Sequence, residues 1–231
     1  MNKQILLFIN LFFLTFVASA QAPRGFYATA GYSQTSLNTS DLATTSKPGF
    51  FAGINFNMGY HESYNYQFEA LYRQNTIGAK YVDNTFLEAK DANLKFSTVE
   101  VGFYLNYYIL KPEEDKFFLG PQAGVFVTVS DNLESSSIDE NGQYYLPYLV
   151  DSNSLTDFSK INYGLGLGFT GGYNKFRFDF RYSLGMANSL NNVKTNSYDE
   201  FNRYTGSSLS GKTNTLTFGL SYLVFSRTGK R

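Results

Sequence analysis

The feature of this sequence that most constrains its fold is a repeated alternation of apolar and polar residues with a period of two. In residues 175–187 every even position is apolar, whereas the odd positions carry Arg177, Asp179 and Arg181 among small residues. Successive side chains of a β-strand point to opposite faces, so this pattern predicts a strand with one apolar and one polar face. The strands predicted by the same rule are residues 26–33, 50–60, 64–73, 98–109, 117–130, 161–170, 175–187 and 215–225.

The two faces of these eight runs differ in charge and in side-chain size. None of the apolar faces contains a charged residue, although charged residues make up 16% of the chain. The opposite faces combine Gly, Ser, Thr and Asn with a few charged side chains, which suits a narrow, crowded lumen. The runs are 8–14 residues long, which matches the length of a tilted strand that crosses a bilayer. The sequence therefore predicts an all-β protein, an eight-stranded antiparallel up-and-down transmembrane β-barrel.

The connections between the runs alternate strictly in length. The long ones are residues 34–49, 74–97, 131–160 and 188–214, and the short ones are residues 61–63, 110–116 and 171–174. Outer-membrane barrels have short periplasmic turns and long extracellular loops, so this parity favours such a barrel with both termini in the periplasm. Within the fifth run, Pro121 removes one hydrogen bond of the ladder and predicts a bulge or local distortion.

The first twenty residues have the features of a secretory signal peptide. Lys3 precedes an apolar segment at residues 5–17, and Ala18, Ser19 and Ala20 form a small-residue cleavage site. The alternative is an N-terminal membrane anchor, for which the apolar segment is short. We therefore expect a signal peptide at residues 1–20, a barrel domain at residues 21–231 and a location in the cell outer membrane.

Composition excludes several classes of function. The chain has no Cys and a single His, which excludes thiolate nucleophiles, Cys-based metal sites and His clusters for zinc. Its 19 basic and 19 acidic residues balance, whereas nucleic-acid binding needs a basic surplus. We expect neither a nucleic-acid partner nor a cofactor.

These features together resemble the PorT-like outer-membrane β-barrel proteins of Bacteroidota over about residues 21–226. The resemblance rests on the signal-peptide end, the eight runs and the Gly-rich strand around Gly166. It also rests on the last strand, where Gly219, Tyr222 and Val224 look like a barrel-assembly signal, although Val224 stands where an aromatic residue is usual. The resemblance implies contact with outer-membrane lipid and insertion by the barrel-assembly machinery. Because some relatives assist a secretion machine, secretion-system components are candidate partners.

Candidate catalytic residues are sparse. His61, the only His, lies in a short turn beside Glu62 and Ser63, where it is interpreted as a solvated turn residue rather than a catalytic base. The run Gly164, Gly166 and Gly168 differs from a phosphate-binding loop because a strand, not a helix, continues after it. We assign no catalytic residue on this basis.

The connection at residues 131–160 contains the remaining candidates. Its six acidic residues do not have the spacing of a known calcium loop, so they predict a solvated acidic loop without a metal. The aromatic residues Tyr144, Tyr145 and Tyr148 form a candidate binding surface, since exposed aromatic clusters often mark one. Packing of these rings over the barrel mouth is the alternative.

The charged residues of the polar faces predict a network in the lumen. The run at residues 175–187 lies across an eight-stranded barrel from the run at residues 64–73. Because an unpaired buried charge is costly, we expect Glu69 and Glu100 to meet Arg177 or Arg181 and to plug the barrel. The predicted network consists of Glu69, Arg73, Glu100, Arg177, Asp179 and Arg181.

The sequence therefore favours a non-enzymatic outer-membrane barrel with a structural or accessory role, linked to secretion by the resemblance. A plugged polar lumen and long extracellular loops are part of this prediction. Two alternatives from other classes stay open at this stage. One is an outer-membrane lipid-modifying or proteolytic enzyme, and the other is an exported soluble lipocalin-like carrier.

Overall fold

The computed structural model describes residues 25–58, 63–82, 88–110, 117–135, 144–146, 150–151, 158–193 and 208–226. The predicted signal peptide and the residues His61, Glu62 and Tyr148 lie outside this part of the chain. Within it, no helix is long and apolar enough to cross a membrane. The strands are β1 (Gly25–Asn38), β2 (Thr44–Met58), β3 (Tyr64–Val82), β4 (Lys90–Tyr107), β5 (Phe118–Ser130), β6 (Glu134–Ser135), β7 (Tyr144–Tyr145), β8 (Val150–Asp151), β9 (Ile161–Tyr173), β10 (Phe176–Gly185) and β11 (Lys212–Phe225).

Eight long strands form a closed antiparallel ring. Each pairs with its neighbours along the chain, in the order β1, β2, β3, β4, β5, β9, β10 and β11. The ring closes where β1 pairs with β11, in a register that includes Ala30 opposite Leu220. The predicted eight-stranded up-and-down barrel is confirmed, and β1 begins at the same end of the barrel at which β11 ends.

The alternation of faces is also as predicted. On β10, Arg177 is 0% exposed, whereas Phe180 is 46% exposed. The described positions of all eight predicted apolar faces lie on the outer surface, and the polar positions between them point into the barrel. This reverses the usual arrangement of a water-soluble protein, and it is the arrangement that a lipid environment requires.

Two of the predicted loops are largely strand, and this part of the prediction was wrong. The predicted loop at residues 34–49 shrinks to residues 39–43, and the one at residues 74–97 shrinks to residues 83–89. The alternation continues through both segments, but here the apolar residues, such as Ile77 and Leu94, point inward and not outward. We call the exposed apolar side chains of the outer surface the apolar band. The strands of the hairpins β1–β2 and β3–β4 therefore continue beyond this apolar band.

The inward-pointing apolar residues of this end form a second core, which we call the apolar cap. It lies at the end of the barrel opposite the start of β1 and the end of β11. Residues of β1, β3 and β4 and of the connections that follow β1, β5 and β10 contribute to it. Its side chains are at most 8% exposed. The apolar cap consists of Leu37, Leu42, Ile77, Ala79, Tyr81, Ala92, Leu94, Phe96, Leu133, Phe158, Leu190, Val193 and Leu209.

Irregular pairing occurs beside two prolines. The β4–β5 ladder stops at Asn106 opposite Gln122 and resumes one residue out of register at Leu110 opposite Leu119, so the distortion expected at Pro121 is present on this side. On its other side, β5 pairs with β9 without a shift. The β2–β3 ladder shifts in the same way between Ser46 and Phe50, around Pro48. Proline has no backbone N–H to donate, so a ladder tolerates it at such interruptions.

Candidate functional site

The candidate site is the barrel interior, where the six predicted network residues all lie. They point inward from β3, β4 and β10, and each is at most 5% exposed. An eight-stranded barrel has an interior that its own side chains fill, so these groups have little access to solvent. Their charges must therefore be balanced by one another and by nearby polar groups.

Arg181 and Glu69 pair across the barrel. Arg181 on β10 donates from both terminal nitrogens to the two carboxylate oxygens of Glu69 on β3, and its Nη2–Oε2 distance is 3.1 Å. Its Nε also donates to Oε1 of Gln122 at 2.9 Å. This two-point geometry fixes the orientation of both side chains, because the planar guanidinium matches the carboxylate. The pair joins opposite walls of the ring, as expected for Glu69.

Glu100 pairs with Arg73, so its expected pairing with Arg177 or Arg181 was wrong. Arg73 donates from Nη2 to Oε1 of Glu100 at 2.8 Å and from Nε to Oε2 at 3.1 Å. The reason is the register of β3 and β4, in which Arg73 lies opposite Thr98 and diagonal to Glu100. Diagonal inward neighbours on paired strands are within reach of long side chains, so the shorter contact along the wall replaces one across the lumen.

Arg177 and Asp179 pair within one strand, near the end of the barrel at which β1 begins and β11 ends. Nε and Nη2 of Arg177 donate to Oδ1 of Asp179 at 3.1 and 2.9 Å. Nη1 of Arg177 also donates to Oδ1 of Asn57 at 2.5 Å, and Nη2 donates to Oε1 of Gln67. Four acceptor contacts thus surround a guanidinium that is fully buried.

A chain of amide side chains connects the Arg177–Asp179 pair with the Arg181–Glu69 pair. The sequence analysis did not assign these amides to the network. Gln67 donates to Oε2 of Glu69 at 3.0 Å, and Gln122 donates to Oε1 of Gln67 at 2.8 Å. Gln122 also donates to Oδ1 of Asn106 at 2.7 Å. The sequence feature that could have identified Gln67 and Gln122 is that each is a long polar side chain on a predicted inward face. The chain links Arg177 to Arg181 through Gln67 and Gln122.

Tyr104 fills the centre of the lumen between these groups. Its side chain is fully buried, and the guanidinium carbon of Arg181 lies over its ring. A Cβ atom at Gly166 would lie only 2.7 Å from Cε1 of Tyr104, and one at Gly102 would clash with the same ring. Gly102 on β4 and Gly166 on β9 therefore leave the space that the Tyr104 ring occupies. This assigns a packing role to the Gly-rich sequence around Gly166.

Space inside the barrel above the network is small. A cavity of about 30 Å³ lies between the Arg73–Glu100 pair and the apolar cap residues Phe96 and Phe158. Threonine, serine and asparagine side chains complete its wall. The interior is thus filled at two levels, by the ion pairs in the membrane-spanning part and by the apolar cap beyond it.

The other sequence-predicted residues take no part in the hydrogen bonds of this network, although Gly219 lies opposite Asp179 in the β10–β11 ladder. On β11, Gly219 points inward, while Tyr222 and Val224 point outward. The backbones of Tyr144 and Tyr145 form β7, which pairs with the end of β3 at Tyr81 and Val82. Among the described residues, no three Asp, Glu or His side chains come together as metal ligands.

Comparison with known proteins gives one family. The family model described as Outer membrane protein beta-barrel domain matches residues 20–191. No protein of curated function has a detectably similar sequence.

The fold is similar to solved outer-membrane barrels at low sequence identity. The outer membrane protein OprG from Pseudomonas aeruginosa is 11% identical, with 88% of this chain and 98% of that chain covered and a TM-score of 0.47. The attachment invasion locus protein Ail of Yersinia pestis is 12% identical, with 86% and 98% covered and a TM-score of 0.41. The outer membrane enzyme PagL is 8% identical, with 85% and 99% covered and a TM-score of 0.41.

Proposed function

The chain belongs to the outer membrane protein beta-barrel domain family and resides in the outer membrane, and we propose that it is a non-enzymatic barrel with a plugged lumen. In this proposal the barrel anchors the protruding hairpins at the cell surface and does not conduct solutes. The observation that carries it is the Arg181–Glu69 pair, which joins opposite walls of the barrel through two hydrogen bonds.

The network around this pair supports a closed lumen. Arg181 contacts β3 through Glu69 and β5 through Gln122, while Arg177 contacts β2 through Asn57 and β3 through Gln67. A general diffusion pore needs a continuous water-filled path along its axis. Here the axis is occupied by side chains whose charges are paired, and separating them would leave buried charges uncompensated.

The same contacts support a non-enzymatic role. A general base needs a side chain that is free to take a proton from a substrate. The three lumen carboxylates, those of Glu69, Glu100 and Asp179, each accept hydrogen bonds from a buried guanidinium. Groups held in this way stabilise the barrel and are closed to a substrate.

An accessory role linked to secretion is the finer part of the proposal. It follows from the resemblance to PorT-like barrels, some of which assist a secretion machine. The hairpins β1–β2 and β3–β4 continue beyond the apolar band as strands, which gives a partner protein a rigid surface. The partners we propose are outer-membrane lipid, the barrel-assembly machinery during insertion, and components of a secretion system.

Planar-bilayer recording tests the closed lumen. We expect the purified, reconstituted wild-type protein to give no stable conductance, with an established open porin as the positive control in the same lipid. Stable unitary conductance from the wild type would contradict the proposal. Crosslinking in cells followed by purification tests the accessory role, and recovery of no secretion component would contradict that part alone.

A further inference from the structure

A cleft of about 340 Å³ opens on the outer surface of the barrel, where β2, β3 and β4 meet the segment after β5. It lies outside the lumen and plays no part in the proposed plug. Its lining includes Pro48, Phe50, Gln74, Thr76, Lys95 and Asp131.

The apolar residues next to this cleft show where it lies along the barrel axis. The outward residues one step lower on β3, β4 and β5 are Tyr72, Val99 and Val129, all about half exposed. The Tyr72 hydroxyl donates to Oγ of Ser97 at 2.9 Å at the lower edge of the cleft. The cleft therefore begins where the lipid-facing band ends, at the end of the barrel opposite the start of β1 and the end of β11. In an outer-membrane barrel this is the headgroup level of the outer leaflet.

The bulge in β2 explains why a cleft forms at this point. The β2–β3 register shifts between Ser46 and Phe50, and Pro48 in this interval has no backbone N–H to offer β3. A register shift redirects the side chains beside it, and the cleft lies where Pro48 and Phe50 of this interval meet Gln74 of β3. Bulges are frequent at the rims of barrels and beside binding sites, where they redirect side chains.

The chemistry of the lining suits a phosphorylated sugar. Gln74 and Asn132 contribute amides, and Thr76 and Ser97 contribute hydroxyls, all of which can bind sugar hydroxyl groups. The aromatic ring of Phe50, 58% exposed, offers an apolar face beside them.

The two charged residues of the cleft have different surroundings. Lys95 is exposed and forms no ion pair with any of the side chains that the structure describes, so its ammonium group can contact a phosphate. Asp131 accepts a hydrogen bond from the backbone N–H of Asn132 at 2.8 Å through Oδ1. No described residue donates a hydrogen bond to its Oδ2, so this oxygen can accept one from a sugar hydroxyl.

We propose that this cleft binds the phosphorylated sugar headgroup of a glycolipid of the outer leaflet. Lys95 contacts the phosphate, the amides, hydroxyls and Asp131 bind the sugar, and the acyl chains lie along the apolar surface below Phe50. The occupant is a membrane lipid, because the cleft opens directly above the surface that lipid chains cover.

Native mass spectrometry of the detergent-purified full chain with added lipid A tests this proposal. We expect one lipid A to remain bound to the wild type, and we expect K95E to weaken binding by roughly tenfold or more, since it replaces a charge-assisted contact with a repulsive one. T76W, which fills the cleft without changing charge, is expected to weaken binding similarly. K212E is the matched control, because Lys212 is an exposed lysine on β11 away from the cleft, and we expect it to bind like the wild type.

Three results would overturn the proposal, provided that heat-modifiable gel mobility shows each variant to be folded. Equal loss of lipid A in K95E and K212E would mean that binding is non-specific attraction by surface charge. Unchanged binding in T76W would place the lipid elsewhere on the barrel. Free glucosamine 1-phosphate binding as tightly as lipid A would identify a soluble ligand. None of these results depends on whether the lumen conducts.

Discussion

The guanidinium carbon of Arg181 lies 3.7 Å from the centroid of the Tyr104 ring. This contact places a paired cation against an aromatic face inside the lumen, where both side chains are buried. A cation–π contact is strongest when it is desolvated, so this stacking adds to the ion pair with Glu69. Arg181 thus contacts β3, β4 and β5 at once, through Glu69, Tyr104 and Gln122.

Arg181→Ala is expected to lower the free energy of unfolding by about 3–5 kcal/mol, the scale for leaving a buried charge without its partner. The orphaned group is the carboxylate of Glu69. Denaturant titration of the protein in detergent, followed by heat-modifiable gel mobility, measures this loss. A loss well below this range would mean that water reaches the lumen at that depth.

The double variant E69A/R181A provides the matched control for that measurement. Because it removes both charges, it leaves no orphaned carboxylate, and we expect it to be more stable than Arg181→Ala alone. If the double variant is as unstable as the sum of the two single variants, the two residues do not act as a pair.

Gly166→Val is expected to destabilise the barrel by about 1–3 kcal/mol, because its side chain must enter space that the Tyr104 ring occupies. Y104A is expected to rescue part of this loss when the two changes are combined. The coupling is read from a double-mutant cycle in the same unfolding assay. Strictly additive effects would show that the ring is not what the glycine accommodates.

Leu167→Arg tests the lipid-facing surface. Leu167 points outward from β9 and is 53% exposed, midway along the apolar band. Arginine at the midplane of a barrel's lipid face costs about 2–4 kcal/mol, so we expect a loss of that size in folding measured in vesicles. Ser210→Arg is the control, since Ser210 is exposed beyond the band and should tolerate the charge. Equal tolerance at both positions would contradict the assigned membrane boundary.

The sequence was sufficient to predict the strands and faces of the membrane-spanning part. For β10 the predicted run at residues 175–187 contains the observed strand Phe176–Gly185, because lipid on one side and a polar lumen on the other keep the alternation strict. For β3 the prediction ended at Arg73, whereas the strand continues to Val82. Beyond the bilayer the outer face of the strand becomes polar, and apolar residues such as Ile77 point inward. The rule that apolar residues lie on the outer face therefore no longer identifies the strand.

The lumen contacts were only partly predictable for a related reason. Alternation fixes which residues point inward, and it placed Glu69, Glu100 and the arginines there correctly. It does not fix the relative height of residues on different strands, which depends on register. The β3–β4 register puts Arg73 diagonal to Glu100, and the amide of Gln67 reaches Arg177 from another strand. Neither relationship is contained in the pattern of one strand.

Leu190→Ala tests whether the apolar cap is a core separate from the membrane-spanning barrel. Leu190 is 0% exposed and packs in the apolar cap, so its truncation is expected to cost about 2–5 kcal/mol locally through lost burial and a residual cavity. Because the membrane-spanning strands are supported by lipid and by the lumen network, insertion should be unaffected. Hydrogen exchange should accelerate at β1–β2 and β3–β4 beyond the apolar band and stay slow around Tyr104. Uniform acceleration throughout the barrel would show that cap and barrel unfold as one unit.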